Sequence, residues 1–239
     1  MRRKEGILDL EVADVEVGGD VHRVILSGVR NPSDSGAFDS RDRLLKEFDE
    51  LRKLLISYPY GTEDMCADFV FRSRHAEAAH GYVIMESMGY PYYSGSNTIA
   101  TVAALLEYEI VAIAEGESEI ALESPGGIVR ARYRVWDNII QDVTVTGDSP
   151  YVISEHEKID LPGVGSVSYS LVWSGAYMVL VEAANLGIRL DKVHIPRMKT
   201  IGRALADAIS VEFKHEHAKY GRIESPRFVH FMGAIEKMG

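Results

Sequence analysis

The chain has 239 residues, of which 46% are apolar and 26% are charged, and its formal net charge is −10. Such a composition is typical of a globular protein with one large or two modest domains and argues against a disordered chain. The negative charge argues against a nucleic-acid partner, because contacts to phosphate groups require a basic face.

Cys66 is the only cysteine, which excludes an internal disulfide framework and a thiolate metal cluster and fits a reducing compartment. No apolar segment typical of a signal peptide follows the N-terminal residues, and no apolar run is long enough to span a bilayer. We therefore expect a cytoplasmic protein without a membrane partner. Because Cys66 precedes a predicted buried strand, we interpret it as a packing residue.

Strand patterns dominate the first part of the chain. Residues 7–12 and 21–26 predict a hairpin that turns at Gly18-Gly19-Asp20. A loop is expected over residues 29–39, followed by a helix over residues 40–56 with Asp39 or Ser40 as its N-cap. The apolar face of this helix would carry Leu44, Phe48, Leu51 and Leu55.

Two buried strands are predicted over residues 69–71 and 82–85. Residues 97–106 are apolar almost all round, which predicts a helix buried on most sides. Further strands are expected over residues 110–114, 120–122, 127–136 and 139–145. We expect mixed sheets wrapped on a helix, in an α/β fold of the α+β type, more than a doubly wound parallel sheet.

A domain boundary is predicted at Gly147-Asp148-Ser149-Pro150, which divides the chain into residues 1–147 and 148–239. Beyond it, strands are expected over residues 167–173 and 177–181 and a helix over residues 196–213. Residues 221–239 resemble the beginning of another strand pair.

The strongest site signal is the turn of small residues Ser94-Gly95-Ser96-Asn97, which opens the predicted buried helix. A helix N-terminus leaves backbone N–H groups unpaired and carries the positive end of the helix dipole, so it binds a carboxylate or phosphate. Gly95 would let a ligand approach the backbone, and Ser94, Ser96 and Asn97 would add side-chain donors. The simpler interpretation is a helix capped by Ser or Asn, with no ligand.

The surrounding sequence resembles the first active-site motif of the proline racemase family. The segment reads Gly-Tyr-Pro-Tyr-Tyr-Ser-Gly-Ser-Asn-Thr-Ile-Ala from Gly89 to Ala100. Other parts of the chain follow the family's pattern in the same order: Asp14 with Gly18-Gly19-Asp20 and Arg23, the segment Leu51–Leu55 with Pro59, Gly61, Asp64 and Met65, Ser124-Pro125-Gly126-Gly127, and Ser174-Gly175-Ala176-Tyr177. The family comprises proline racemases, 4-hydroxyproline epimerases and trans-3-hydroxyproline dehydratases.

The resemblance implies a diaminopimelate-epimerase-like fold with two domains, each a curved mixed sheet around a central helix. It also implies chemistry at the α-carbon of proline or hydroxyproline without metal or other cofactor, by two groups on opposite faces of the substrate. Ser94 takes the first catalytic position, where most racemases have cysteine. As a hydroxyl it would be a hydrogen-bonding acid or substrate anchor, and Gly95, Ser96 and Asn97 would bind the substrate.

The family's second motif, an Asp-Arg followed by Cys-Gly-Thr, has no counterpart in this sequence. The resemblance therefore predicts a chain truncated at its C-terminal end, or a degraded relative, with an incomplete second domain that leaves an apolar gap or pairs as a homodimer. Two function hypotheses follow. One is a trans-3-hydroxy-L-proline dehydratase or a hydroxyproline or proline epimerase, and the other is an inactive relative that binds a small carboxylate.

Other candidates receive simpler interpretations. His215, Glu216 and His217 suggest a metal cluster, but residues two apart do not share a helix face, so we interpret them as a solvated helix end. Gly147-Asp148-Ser149 lacks the glycines of a nucleophile elbow and is interpreted as linker. Tyr90, Tyr92 and Tyr93 are either the wall of a ring pocket or strand-end packing.

Overall fold

The computed structural model describes residues 9–147 and 149–233 of the chain. The chain divides into two compact units, Met1–Asp148 and Ser149–Gly239. Parts of three predicted features lie outside the described residues: the first two residues of the first strand, Asp148 of the boundary turn, and residues 234–239 of the last strand pair.

The described residues of unit 1 form seven strands and three helices. In chain order they are β1 Glu11–Val17, β2 Asp20–Ser27, α1 Ala37–Glu47, α2 Asp49–Leu55, β3 Cys66–Phe71, β4 His80–Met85, α3 Gly95–Glu107, β5 Gly116–Ser124, β6 Gly127–Trp136 and β7 Ile139–Thr146. The strands form one sheet in sequential order, with parallel pairing for β2–β3 and β4–β5 and antiparallel pairing elsewhere.

The sheet curls around α3, and both edge strands, β1 and β7, pack against this helix. The core between them combines α3 residues such as Val102 and Leu105 with Tyr82 and Ile84 from the inner face of β4. The alternate residues of β4, Val83 and Met85, belong to a second core on the outer face, under α1 and α2. The predicted mixed sheet wrapped on a buried helix is confirmed.

In unit 2, residues 149–233 form a four-stranded mixed sheet and one α-helix. The elements are β8 Tyr151–Leu161, β9 Gly165–Trp173, β10 Tyr177–Glu182, α4 Ile195–Glu212 and β11 Phe228–Met232, with short 3-10 helices at Ala183–Leu186 and Lys192–His194. The strand order is β11-β10-β9-β8, and α4 is the crossover between the parallel strands β10 and β11. Among the described residues, no helix in either unit is long and apolar enough to cross a membrane.

The two faces of the unit 2 sheet differ in their surroundings. Val179 and Val181 are buried on the face that carries α4. By strand alternation, the opposite face carries Met178 and Leu180, which are half-buried, and Met232, which is 42% exposed. The same face also carries Glu182 and His230, both exposed, so it is mixed in character and partly open within the described part of the chain.

Several predicted elements are wrong in detail. The first strand covers 11–17 and not 7–12, although its hairpin with β2 forms as expected. Residues 110–114 form no strand. Val111 and Ile113 are apolar because they pack on the core around α3 after the helix has ended. Strand β8 was not predicted at all.

The predicted helix over residues 40–56 is two helices with a break at Phe48, whose backbone leaves the helical region at φ −135° and ψ 23°. Phe48 is 47% exposed, so it does not belong to the buried face. Neither Asp39 nor Ser40 is the N-cap. That position is taken by Gly36, and the Glu123 carboxylate from β5 accepts a hydrogen bond from the Ala37 N–H at 2.8 Å.

Leu44 and Phe48 provide a matched test of this corrected helix. Leu44 is 1% exposed, so Leu44→Ala should lower the free energy of unfolding by about 2–5 kcal/mol through lost burial and a cavity. Phe48→Ala removes a larger but half-exposed side chain and should cost less than about 1 kcal/mol. Urea denaturation of both variants measures the two free energies of unfolding. Equal losses would mean that Phe48 is as buried as Leu44 and would contradict its place outside the buried face at the break between α1 and α2.

Candidate functional site

The Ser94 turn begins α3, as predicted, with Ser94 at the N-cap position in an extended conformation (φ −153°, ψ 137°). Its side chain, however, makes no capping hydrogen bond to the first turn of the helix. Among the described residues, its hydroxyl has one hydrogen-bond partner, the Ser96 hydroxyl at 3.3 Å. The interpretation of Ser94 as a simple side-chain cap is therefore wrong, and its hydroxyl is open to a ligand.

The first backbone N–H groups of α3 are also available. Within the described part of the chain, the N–H groups of Gly95, Ser96 and Asn97 have no hydrogen-bond acceptor, and the first bonded one is that of Thr98, which donates to the Ser94 carbonyl at 3.1 Å. Gly95 leaves space as expected, because a Cβ there would meet only the Tyr93 hydroxyl, at 3.8 Å. Three unpaired donors at a helix N-terminus form an anion site.

The segment before Ser94 is held firmly in unit 1. The Arg41 guanidinium is buried, donates to the Tyr90 carbonyl at 2.7 Å and lies 4.1 Å from the ring centroid of Tyr92. The Gly126 N–H of the β5–β6 turn donates to the Tyr92 carbonyl at 2.8 Å. Tyr90 and Tyr92 are 4% exposed, so these two rings pack in the core, while Tyr93 is half-buried.

Two consecutive hydrogen bonds between β4 and the start of α3 hold the helix N-terminus in position. The Tyr82 hydroxyl lies 2.6 Å from Thr98 Oγ1, and the Thr98 hydroxyl donates to the Ser94 carbonyl at 2.7 Å. Because Thr98 uses its only hydroxyl proton for Ser94, Tyr82 must be the donor of the first bond. The position of Ser94 is thus tied to β4 through two hydroxyl groups.

The Asn97 side chain was expected to donate a hydrogen bond to a ligand, but the structure directs it into the core. Its side chain is fully buried and its Nδ2 donates to Asp68 Oδ1 on β3 at 3.0 Å. The other oxygen of Asp68 lies 3.6 Å from Nδ1 of His22 on β2, and both of these side chains are fully buried. Burial raises the pKa of Asp68. The group that Asn97 can offer to a ligand is its backbone N–H.

Asp68 and His22 were not singled out from the sequence. A signal was present, because Asp68 is the one charged residue in the run Cys-Ala-Asp-Phe-Val-Phe of β3. A lone carboxylate in a buried strand calls for a partner. Its partners lie on β2 and α3, and only the sheet pairing brings them together.

Cys66 is not a usable base in unit 1. Its Sγ is 3.6 Å from Glu86 Oε1, and burial together with the charges of Glu86 and Asp68 raises the pKa of the thiol. A proton-abstracting cysteine requires the opposite shift. The interpretation of Cys66 as a residue without a catalytic role agrees with this environment.

The motif residues Asp14 and Arg23 have a structural role. They lie opposite each other in the β1–β2 hairpin, and the Arg23 guanidinium donates to both Asp14 oxygens at 2.8 Å. Arg23 also donates to the carbonyls of Leu55 and Tyr60. It therefore joins the hairpin to the loop after α2.

In unit 2, the interpretation of residues 215–217 as a solvated helix end is wrong for His217. This residue is 8% exposed, its ring stacks on Tyr220 at 4.5 Å, and its centroid lies 4.1 Å from that of Trp173. Its Nδ1 accepts hydrogen bonds from the backbone N–H groups of Lys219 and Tyr220. The described residues contain no group of three His, Cys, Asp or Glu side chains that could hold a metal ion.

The comparison with known families covers nearly the whole chain. The family model described as proline racemase matches residues 12–239. This chain belongs to the proline racemase family. A protein of Chromohalobacter salexigens is 36% identical over 231 residues, which cover 97% of this chain and 64% of that protein.

A 4-hydroxyproline 2-epimerase of Streptosporangium roseum is 28% identical over 218 residues, covering 91% of this chain and 66% of the relative. The crystal structure of a hydroxyproline epimerase from Agrobacterium vitis with bound trans-4-hydroxy-L-proline is 24% identical and superposes with a TM-score of 0.87. The match covers 93% of this chain and 66% of that one, and it confirms the diaminopimelate-epimerase-like class of mixed α/β fold. The chain thus spans just under two thirds of the length of these relatives.

A thiol-labelling experiment tests whether the N-terminus of α3 is electropositive at Ser94. A cysteine introduced by Ser94→Cys should have a lowered pKa and react with iodoacetamide at least about tenfold faster than Cys66, whose thiol pKa is raised. The substitution is made in a Cys66→Ser background so that each thiol is measured alone. Equal rates for the two thiols would contradict an electropositive site at Ser94.

Glu86 should give unit 1 a measurable pH dependence. Burial raises the pKa of this carboxyl from its usual 4.5 to about 7. Between these two pH values the folded state keeps the Glu86 proton that the unfolded chain releases. The contribution of protonated Glu86 to the free energy of unfolding is therefore fully present below pH 4.5 and is lost as the pH rises through about 7. Allowing for the solvent that still reaches this carboxyl, the loss should be about 2 kcal/mol.

Urea denaturation of the wild type and Glu86→Gln across this pH range measures the effect. The free energy of unfolding should fall with pH in the wild type relative to the variant, because glutamine does not titrate. Parallel pH profiles for the two proteins would show that Glu86 is ionised in the folded state.

Proposed function

We propose that this chain carries the serine half of a cofactor-independent site that acts at the α-carbon of hydroxyproline or proline. The observation that carries the proposal is the start of α3, where the Ser94 hydroxyl makes no capping bond and three backbone N–H groups have no acceptor among the described residues. The names of two relatives, a 4-hydroxyproline 2-epimerase and a hydroxyproline epimerase, support this class of substrate.

The substrate's carboxylate would bind the N–H groups of Gly95, Ser96 and Asn97. Removal of the α-proton moves negative charge onto that carboxylate, and fixed N–H dipoles at the positive end of a helix stabilise the charge as it develops. The same groups that bind the ground state would therefore also lower the barrier. This role needs no side chain other than those that keep the backbone in place.

Ser94 would act as an acid or an anchor and not as the base. A hydroxyl is a poor base unless another group removes its proton, and its partner among the described residues is a second hydroxyl, that of Ser96. Abstraction of the α-proton then requires a second group opposite Ser94. The family resemblance assigns that role to a cysteine motif that this sequence does not contain.

A hydroxyl donor suits dehydration of trans-3-hydroxy-L-proline. In that reaction the α-C–H bond and the C3–O bond both break, a double bond forms between the two carbons, and the hydroxyl leaves as water after gaining a proton. Ser94 could donate that proton, whereas epimerisation requires a proton to be delivered to the opposite face of the α-carbon. Dehydration is therefore proposed first, and hydroxyproline or proline epimerisation second.

The alternative is a catalytically inactive or truncated relative that binds a small carboxylate at α3. The environment of Cys66 favours this alternative. The only thiol of the sequence has a raised pKa and donates a hydrogen bond to Glu86, so it is unsuited to remove a proton. Cofactor independence, a cytoplasmic location and a homodimer belong to the proposal as expectations from the sequence.

Proton NMR in D₂O tests the proposal directly. The protein is incubated separately with trans-3-hydroxy-L-proline, trans-4-hydroxy-L-proline and L-proline. Loss of an α-proton signal or appearance of a dehydrated ring would name the reaction, and Ser94→Ala should abolish either change. Ser57→Ala, which alters an exposed serine outside the site, should not.

Binding measured on the same samples separates the two hypotheses. Shifts of the Gly95 and Ser96 amide signals without any exchange of the α-proton would favour the carboxylate-binding alternative. Neither shifts nor exchange with any of the three ligands would refute both.

A further inference from the structure

A fully buried polar cluster lies under the first turn of α3. It consists of His22 on β2, Asp68 on β3 and Asn97 on α3, each with no exposed surface. His22 and Asp68 face the helix, because Val24 and Val70, two residues further along the same strands, belong to the core around α3. Apolar side chains would ordinarily occupy such positions, so three polar groups here need an explanation.

The cluster is connected to the proposed carboxylate site through Asn97. Asp68 Oδ1 accepts the Asn97 Nδ2 hydrogen bond at 3.0 Å, and Asn97 is the third residue of α3. The backbone N–H of that same residue is one of the three donors without an acceptor among the described residues. Asp68 on β3 thus holds the side chain of Asn97 from inside the core, while the backbone N–H of Asn97 faces the proposed carboxylate site.

Stability alone does not account for this cluster. Both ring nitrogens of His22, Oδ2 of Asp68, Oδ1 of Asn97 and Oγ1 of Thr101 are buried and have no hydrogen-bond partner among the described residues. Each such group costs desolvation energy that an apolar residue would not. Local violations of this kind occur where a protein preserves a site at the expense of stability.

The charge of the pair matters for any anion bound at the helix. Asp68 Oδ2 lies 3.6 Å from His22 Nδ1, and burial raises the pKa of Asp68, so this carboxyl tends to keep its proton. Without that proton, a negative charge would lie under the first turn of α3. It would occupy the positive end of the helix dipole and repel a second anion there.

We propose that Asp68 is a positioning residue for the carboxylate site, which holds Asn97 in place from inside the core. This inference rests on the proposed function, which places the substrate's carboxylate at the start of α3. Asp68 touches neither the substrate nor the reacting atoms, and it acts through the helix.

The test measures the dissociation constant of trans-4-hydroxy-L-proline, followed by the amide signals of Gly95 and Ser96, at a mildly acidic and a mildly alkaline pH. His22→Asn leaves the hydrogen bond from Asn97 to Asp68 in place and should change the affinity by less than about threefold at either pH. The matched control is His80→Asn, a second histidine of the same sheet, which should change nothing.

Other groups also face Asp68 and are common to every variant. They are Cys66 on β3, Tyr82 on β4 and Glu86 directly after β4, and Asp20 on β2 acts in turn on Cys66 and Glu86. Because Glu86 has a pKa of about 7, the wild type has a pH dependence of its own. The ratio of each variant's dissociation constant to that of the wild type at the same pH removes this contribution.

A second pair of variants does not depend on His22. Asp68→Asn keeps an acceptor for Asn97 and should retain the affinity, whereas Asp68→Ala removes the acceptor and should lose it. Equal losses in these two variants, or a loss in His22→Asn as large as that in Asp68→Ala, would overturn the inference and leave a packing role. If the wild-type amide signals of Gly95 and Ser96 do not respond to the ligand, the proposed site itself is wrong.

Discussion

The structure of unit 1 depends on the burial of one helix inside a curled sheet. Helix α3 is apolar on nearly all sides, with Val102, Leu105 and Leu106 fully buried, and both edge strands of the seven-stranded sheet pack against it. A helix enclosed in this way cannot shift or tilt without opening the core. The sheet surrounds its length but leaves its first three backbone N–H groups without acceptors among the described residues, so the same packing that stabilises the unit also holds the proposed anion site in place.

The choice of Ser94 at this position limits the chemistry that the site can perform. A thiol at a helix N-terminus would have a lowered pKa and could remove a proton, whereas a hydroxyl at the same position stays protonated. The surroundings do not compensate, since Ser96 is the hydroxyl's described partner and Tyr82, through Thr98, supports only the Ser94 carbonyl. What the structure offers at α3 is hydrogen-bond donation, from the hydroxyl and the backbone together.

The elements that depend on local pattern could be predicted from the sequence. The all-round apolar character of residues 97–106 predicted the buried helix, and the turn at Gly18-Gly19 predicted the hairpin. Strand β8 was missed because it is an edge strand in which seven of the eleven residues are exposed and four are charged, which hides the alternation. The break at Phe48 escaped because the spacing of Leu44 and Leu51 suits one continuous helix. The break places Asp49 where it accepts the Tyr90 hydroxyl at 3.0 Å, a tertiary contact that no local pattern reveals.

Asn97 shows why the site itself was only half predictable. Its position in the Ser-Gly-Ser-Asn turn identified it as part of an anion site, but which of its groups faces the ligand depends on what lies behind the helix. Asp68 takes the side chain into the core, so the main chain of the same residue is left for the ligand. A residue that has both a buried, hydrogen-bonded side chain and a backbone N–H group that would bind a ligand tolerates fewer replacements than a residue with only one of these roles. In the proposed site, the constraint on Asn97 therefore comes as much from β3 as from the ligand, and the packing of the sheet sets the position of the N–H group that would bind it.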